Sequence, residues 1–188
     1  MNFEEYARMN EQFLEMTPTQ MVNVVDRTNF DGQEEMAFKM WTKSYPNNGS
    51  GESGLISRLT NVLNMDEEDI TTLSQTYGGL SEALYDIMGG SPEGNPVYIQ
   101  DVYGALYTDS WETTYEQYFE LLPRLSPLGR KWLTAFVLKE TRHGCGETAV
   151  KKMLSKSYGL KAAEIKKASH FLSLDDVIHQ VISTGSVD

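Results

Sequence analysis

Two stretches of this chain, 95 positions apart, carry the same text: Gly49-Ser50-Gly51-Glu52-Ser53 and Gly144-Cys145-Gly146-Glu147-Thr148 share the pattern Gly-x-Gly-Glu-Ser/Thr. Downstream, Leu59 matches Leu154, Ile70 matches Ile165 and Ser74 matches Ser169 at the same displacement, and after a one-residue gap Leu80 matches Leu174. Self-similarity of this length points to a structural unit built twice, which limits the fold to one that a turn and its following elements can make by repetition. The repeat predicts a first half over 1–90, a linker over 91–96 rich in Gly and Pro, and a second half over 97–188, joined in one compact domain.

Periodicity assigns the elements. Thr17-Pro18-Thr19-Gln20 is a capping-box start with proline at the first helical position. Leu55, Leu59, Val62 and Leu63 make one helical stripe ending at Asn64, and Val150, Met153, Leu154 and Tyr158 make its counterpart ending at Gly159-Leu160. Trp132, Leu133, Phe136 and Val137 form a buried face after Ser126-Pro127, and Ser173 with Asp176 opens a last helix. Val97 to Tyr103 alternates like a strand yet spaces Ile99, Val102 and Tyr103 as a helix does, and a helix after a short extended entry is expected. Nearly every periodic segment is helical, so the fold class is all-α.

The formal net charge of −11 argues against nucleic acid only on average, because the signs are segregated. Residues 1–123 hold 5 basic and 21 acidic side chains, whereas residues 124–170 hold 11 basic and 3 acidic. The positive segment surrounds the second glycine turn, as a local anion-binding face requires. No apolar run approaches the ~18 residues of a membrane span, and Met-Asn-Phe-Glu-Glu lacks the layout of a signal peptide. The expectation is a soluble protein of the cytoplasm, or of a host's cytoplasm for a viral source, without membrane contact.

A glycine turn that opens a helix lets the backbone approach a phosphate, where free N–H groups and the helix dipole favour an anion. This nominates Gly49, Ser50, Gly51, Ser53 and Arg58 at the first turn, and Arg142, Gly144, Gly146, Thr148, Lys151 and Lys152 at the second. The second turn, with Arg142, Lys151 and Lys152 beside it, is the stronger candidate, and Gly146 is expected to supply close approach and any positive backbone angle. Glu52 and Glu147 would repel phosphate and are assigned to capping their helix starts. His143 and Cys145 could form a nucleophile pair or a metal site, but one Cys, three His and no acidic cluster at ligand spacing favour a structural role.

At the two glycine turns and the helices after them, the chain resembles the N-terminal DNA-binding domain of ATP-dependent DNA ligases of the archaeal, viral and eukaryotic replicative kind. Arg142-His143-Gly144-Cys145-Gly146-Glu147, the helix over Ala149 to Tyr158 and the segment from Ala168 to Val181 carry the resemblance. It implies an all-α, internally duplicated domain that grips double-stranded, nicked DNA without reading its sequence, in replication, repair and recombination. Such ligases continue into a nucleotidyltransferase domain whose nucleophilic lysine lies in Lys-x-Asp-Gly; the Asp31-Gly32 pair here follows Asn29 and Phe30, with no lysine in place. The resemblance therefore implies a non-catalytic module without a cofactor of its own, ATP and Mg belonging to a separately encoded catalytic subunit. The alternative is an acidic protein-interaction module on a ligase-like helical scaffold.

Overall fold

The structure, a computed structural model, describes residues 1–46 and 51–188. Among these the chain is all-α, with twelve α-helices, a short 3-10 turn at Leu122–Arg124 and a single isolated bridge between Asn2 and Tyr98. In order the helices are α1 (Phe3–Phe13), α2 (Pro18–Asp26), α3 (Glu34–Thr42), α4 (Glu52–Leu63), α5 (Glu67–Tyr77), α6 (Leu80–Ile87), α7 (Ile99–Leu106), α8 (Trp111–Leu121), α9 (Pro127–Val137), α10 (Glu147–Tyr158), α11 (Ala162–Ala168) and α12 (Leu174–Thr184). The segment after Val97 is thus a helix with extended entry at Tyr98, and Thr17 forms its capping box with Gln20.

Contacts gather the chain into two units. One comprises Asn2–Arg8 and Tyr45–Thr141; the other comprises Met1, Met9–Ser44 and Arg142–Asp188. The grouping follows a different line from the sequence repeat, and the 91–96 stretch lies inside the first of these units.

In the unit holding Tyr45–Thr141, α9 is the core element: every residue from Gly129 to Val137 is buried. Its start is fixed three ways. Ser126 caps it by accepting from Gly129 N at 3.1 Å, Pro127 takes a first-turn position, and the Glu4 carboxylate accepts from Ser126 N at 2.7 Å and Ser126 Oγ at 2.5 Å. Gly129 has to be glycine, because a Cβ there would stand 3.0 Å from Leu125 Cβ and 2.8 Å from Glu4 Oε1. Around α9 pack α6 and α7, with α5 on α6, α4 on α5 and α8 on α7.

The unit containing the second glycine turn is built on α10, which packs against α2, α3, α11 and α12. Ala149, Val150, Met153 and Leu154 are its buried stripe, each large apolar side chain contributing roughly 1.5–3 kcal/mol. Phe13, Phe30, Phe38 and Trp41 form an aromatic cluster with ring centroids 5.5–6.3 Å apart.

Helices α4 and α10 have the same length of 12 residues and start 95 positions apart, each after an extended glycine, Gly51 or Gly146. Each ends in a left-handed cap, Asn64 or Gly159, again 95 apart. Helices α5 and α11 start at Glu67 and Ala162 with the same displacement, and α6 and α12 at Leu80 and Leu174 with one residue fewer.

Candidate nucleic-acid interface

Basic residues divide by what they touch. In the unit of Tyr45–Thr141, Arg124 pairs with Glu120 at 2.7 Å and donates to the carbonyls of Asn95 and Pro96. Arg130, buried, donates to the carbonyls of Leu122, Met88 and Gly89, each at 3.0 Å. Lys131, also buried, pairs with Glu82 at 3.2 Å, and Lys139 donates to Tyr45 O at 2.6 Å. These four cations of the 124–170 segment secure loops and helix ends. Arg124 holds the end of the Gly/Pro-rich stretch, and Arg130 holds the chain just before it.

The other seven, Arg142, Lys151, Lys152, Lys156, Lys161, Lys166 and Lys167, lie in the unit of α10, where residues 142–170 carry only Glu147 and Glu164 against them. That unit totals 10 basic and 11 acidic side chains, net −1, whereas the other totals 6 and 16, net −10. The acidity of the chain therefore belongs to the unit that lacks this basic cluster.

The second glycine turn owes its shape to a buried polar hub. Asn10 Oδ1 accepts from Trp41 Nε1 at 2.9 Å and lies 2.6 Å from His143 Nε2, while Cys145 N donates to His143 Nδ1 at 3.0 Å. Because Nδ1 accepts, the ring is neutral with its proton on Nε2, aimed at Asn10. Burial, reinforced by the nearby Lys43 ammonium, pushes the His143 imidazole down to about 3, and burial pushes the Cys145 thiol up. His143 and Cys145 thus point inward and hold the turn, leaving Arg142, Gly144, Glu147 and Thr148 exposed between them.

Left-handed geometry sits earlier than expected. Arg142 has φ 57° and Gly144 φ 74°, whereas Gly146 is extended at φ −130°. Gly146 supplies open space, since a Cβ there would meet nothing within 4 Å, and not a positive angle. The two glutamates also differ from expectation. Neither α4 nor α10 has a side-chain cap at its glycine; Glu52 accepts from Ser74 Oγ on α5, and Glu147 pairs with Lys151 at 3.0 Å. As first-turn acids both still suit the positive end of the helix dipole.

Past the turn, α10 and α11 enclose a groove of about 400 Å³ lined by Thr148, Lys151, Lys152, Ser155, Lys156, Ala162, Ile165 and Lys166. Three of the nominated residues, Thr148, Lys151 and Lys152, meet there. Ser155, Lys156 and Lys166 complete it and were not nominated, although Thr148, Lys151, Lys152, Ser155 and Lys156 fall at i, i+3, i+4, i+7 and i+8, one polar stripe of the helix. Lys156 also donates to the Asn23 side chain on α2. Four ammonium groups and two hydroxyls over an apolar floor of Ala162 and Ile165 match a chain of phosphates joined by apolar sugar edges.

At the first turn, Gly49 and Ser50 lie outside the described residues. Gly51 and Ser53 are exposed at the start of α4. Arg58 is engaged in the fold: its guanidinium stacks 4.4 Å over Trp111 and 5.1 Å from the Tyr115 ring, and Nη1 donates to Gly54 O at 2.9 Å. Among the described residues no cluster of metal-ligating side chains occurs, and no helix is long and apolar enough to cross a membrane.

No protein-family model matches the chain. In an alignment of 114 positions that covers 55% of this chain, it is 32% identical to a probable DNA ligase of Persephonella marina. The matched part is 19% of that relative, so across more than half its length the chain is similar to about one fifth of a probable DNA ligase.

Proposed function

We propose that this chain is a non-catalytic, duplex-DNA-binding module of an ATP-dependent DNA ligase system, of the internally duplicated N-terminal type. The observation that carries the reading is the lysine groove of α10 and α11 beside the turn at 142–146. A duplex would lay its phosphates on Lys151, Lys152, Lys156 and Lys166 and on Thr148 at the exposed start of α10, contacts that carry no base information. The matched boundaries of α4 with α10, α5 with α11 and α6 with α12 support descent from one duplicated unit. The similarity to part of a probable DNA ligase supports the ligase setting. In this reading ATP and Mg belong to the nucleotidyltransferase of that system, and a nicked duplex is the shared substrate.

The test is a titration of several unrelated duplexes, intact and nicked, at two salt concentrations. Equal affinities across sequences with a steep loss at higher salt support the proposal; a strong preference for one sequence, or binding indifferent to salt, refutes it. Incubation with labelled ATP adds a second check, since the protein alone is expected to form no covalent adduct with AMP.

A further inference from the structure

We propose that the groove of α10 and α11 also takes a free nucleoside polyphosphate, bound in place of the DNA backbone. The nucleotide site stands apart from the DNA-binding reading above, and only the competition rests on it. A duplex laid across the groove ammoniums leaves the interior of the groove unused. That interior is about 400 Å³, within the range of ~300–1,000 Å³ that small ligands fill. Ala162 and Ile165 form its floor, and the methylene stems of Lys151, Lys152, Lys156 and Lys166 wall it while their charged ends reach solvent. The depression is preformed. Leu160 N donates to Ser155 O at 3.0 Å and Ser155 Oγ donates to Leu160 O, which ties α10 to the link, and Lys161 N donates to the Glu164 carboxylate at 2.8 Å at the start of α11. Lys151 is held by Glu147 at 3.0 Å and Lys156 by Asn23, so part of the ordering cost is met before a ligand arrives.

An apolar interior under a cationic rim calls for a ligand with an apolar body and an anionic tail. Four lysines line the groove and, among the described residues, no acid does. A single terminal phosphate brings a charge of about −1.5 to −2, too little for four ammonium groups, and a row of two or three phosphates comes closer to balance. Thr148, exposed in the first turn of α10, adds a hydroxyl donor where the helix dipole favours an anion. Inorganic polyphosphate would satisfy the rim and leave the floor in water; a bare nucleoside would cover the floor and leave the lysines without an anion. A nucleoside di- or triphosphate does both. The phosphorylated end of a broken DNA strand carries one phosphate at its terminus and suits the rim less well than the free nucleotide. No bond is made or broken at this site, where the nucleotide is a competitor of DNA and not a reactant.

The experiment is calorimetric titration of the protein, in magnesium-free buffer, with ATP, ADP, AMP, adenosine and inorganic tripolyphosphate. Affinity is expected to fall from ATP to ADP to AMP, with adenosine weakest. ATP should bind at least about tenfold more tightly than tripolyphosphate, the gain expected from burying ~60 Å² of base and sugar on the floor. The Lys152→Ala, Lys166→Ala double variant, both sites exposed, should lose at least about tenfold in ATP affinity. Failure of ATP to bind, equal binding of ATP and tripolyphosphate, or undiminished ATP binding by the double variant overturns the nucleotide site. Displacement of a labelled duplex by ATP at concentrations matching its own affinity supports a shared groove, and a duplex that stays bound at saturating ATP overturns it. ATP binding without any duplex binding refutes the DNA-binding reading and leaves the nucleotide site standing.

Discussion

Replacing Lys152 and Lys166 by alanine should weaken DNA binding in a way that salt measures directly. These two cations line the groove and, among the described residues, form no ion pair, whereas Lys151 is engaged with Glu147 and Lys156 with Asn23. If Arg142, Lys151, Lys152, Lys156 and Lys166 each neutralise one phosphate, log K should fall against log salt with a slope of about −4.5 at ~0.9 per contact. Between 50 and 200 mM salt that slope corresponds to a loss of roughly 500-fold. The double variant keeps three contacts, a slope of about −2.7 and a loss of roughly 40-fold over the same interval. Fluorescence anisotropy of a labelled 20-base-pair duplex, titrated at four salt concentrations, gives both slopes, with circular dichroism confirming intact helices. A variant slope equal to the wild-type slope would show that the groove is not where the phosphates lie.

Other outcomes follow from single sites. His143 is buried and neutral in the fold and held down to about 3, so its contribution to stability is complete above the unfolded value near 6.5 and is lost as pH falls from there toward 3. At pH 5 the loss is about 2 kcal/mol, one and a half units at ~1.36 kcal/mol each. Urea unfolding at pH 7 and pH 5 should show that loss in the wild type and much less of it in His143→Gln; equal losses would refute the assignment. Arg58→Ala should lower stability by about 1–2 kcal/mol, through loss of its stacking on Trp111 and Tyr115, while DNA affinity changes less than for the groove variant. Gly144→Ala should destabilise by about 1 kcal/mol because φ is 74°, whereas Gly146→Ala, in open extended backbone, should leave the thermal midpoint nearly unchanged.

The parts of this fold that could be read from sequence are those fixed by neighbours in the chain. The Thr17 capping box, the left-handed Asn64 cap and the Gly159 stop, closed by Leu160 N on Ser155 O at 3.0 Å, each depend on residues within five positions. The α10 stripe was legible on its apolar side; its polar side had the same periodicity and would have yielded Ser155 and Lys156. Lys166 needed the packing of α11 on α10, which no local pattern encodes. The positive segment was misleading in another respect. Arg130 and Lys139 look like available charge in the sequence, yet they donate to the carbonyls of Met88, Gly89 and Tyr45, 41 to 94 residues away, and such pairings exist only once the chain has folded. The left-handed angle at Arg142 was equally hidden, since arginine carries no turn signal.

The order in which the two units are threaded bears on how the protein is made. The unit carrying the lysine groove takes Met9–Ser44 from one side of Tyr45–Thr141 and Arg142–Asp188 from the other, so Tyr45–Thr141 interrupts it as an insertion. During synthesis α2 and α3 emerge early and must wait, without the α10 stripe that covers them, until about a hundred further residues have been added. The insertion can mature in that interval; the lysine groove cannot. Closing so long a loop costs only about 0.6 kcal/mol more than closing one of half the length, so the burden falls on rate and on exposure of apolar helix faces. The groove is accordingly assembled late, and a ribosome-bound chain stalled before α10 holds none of it.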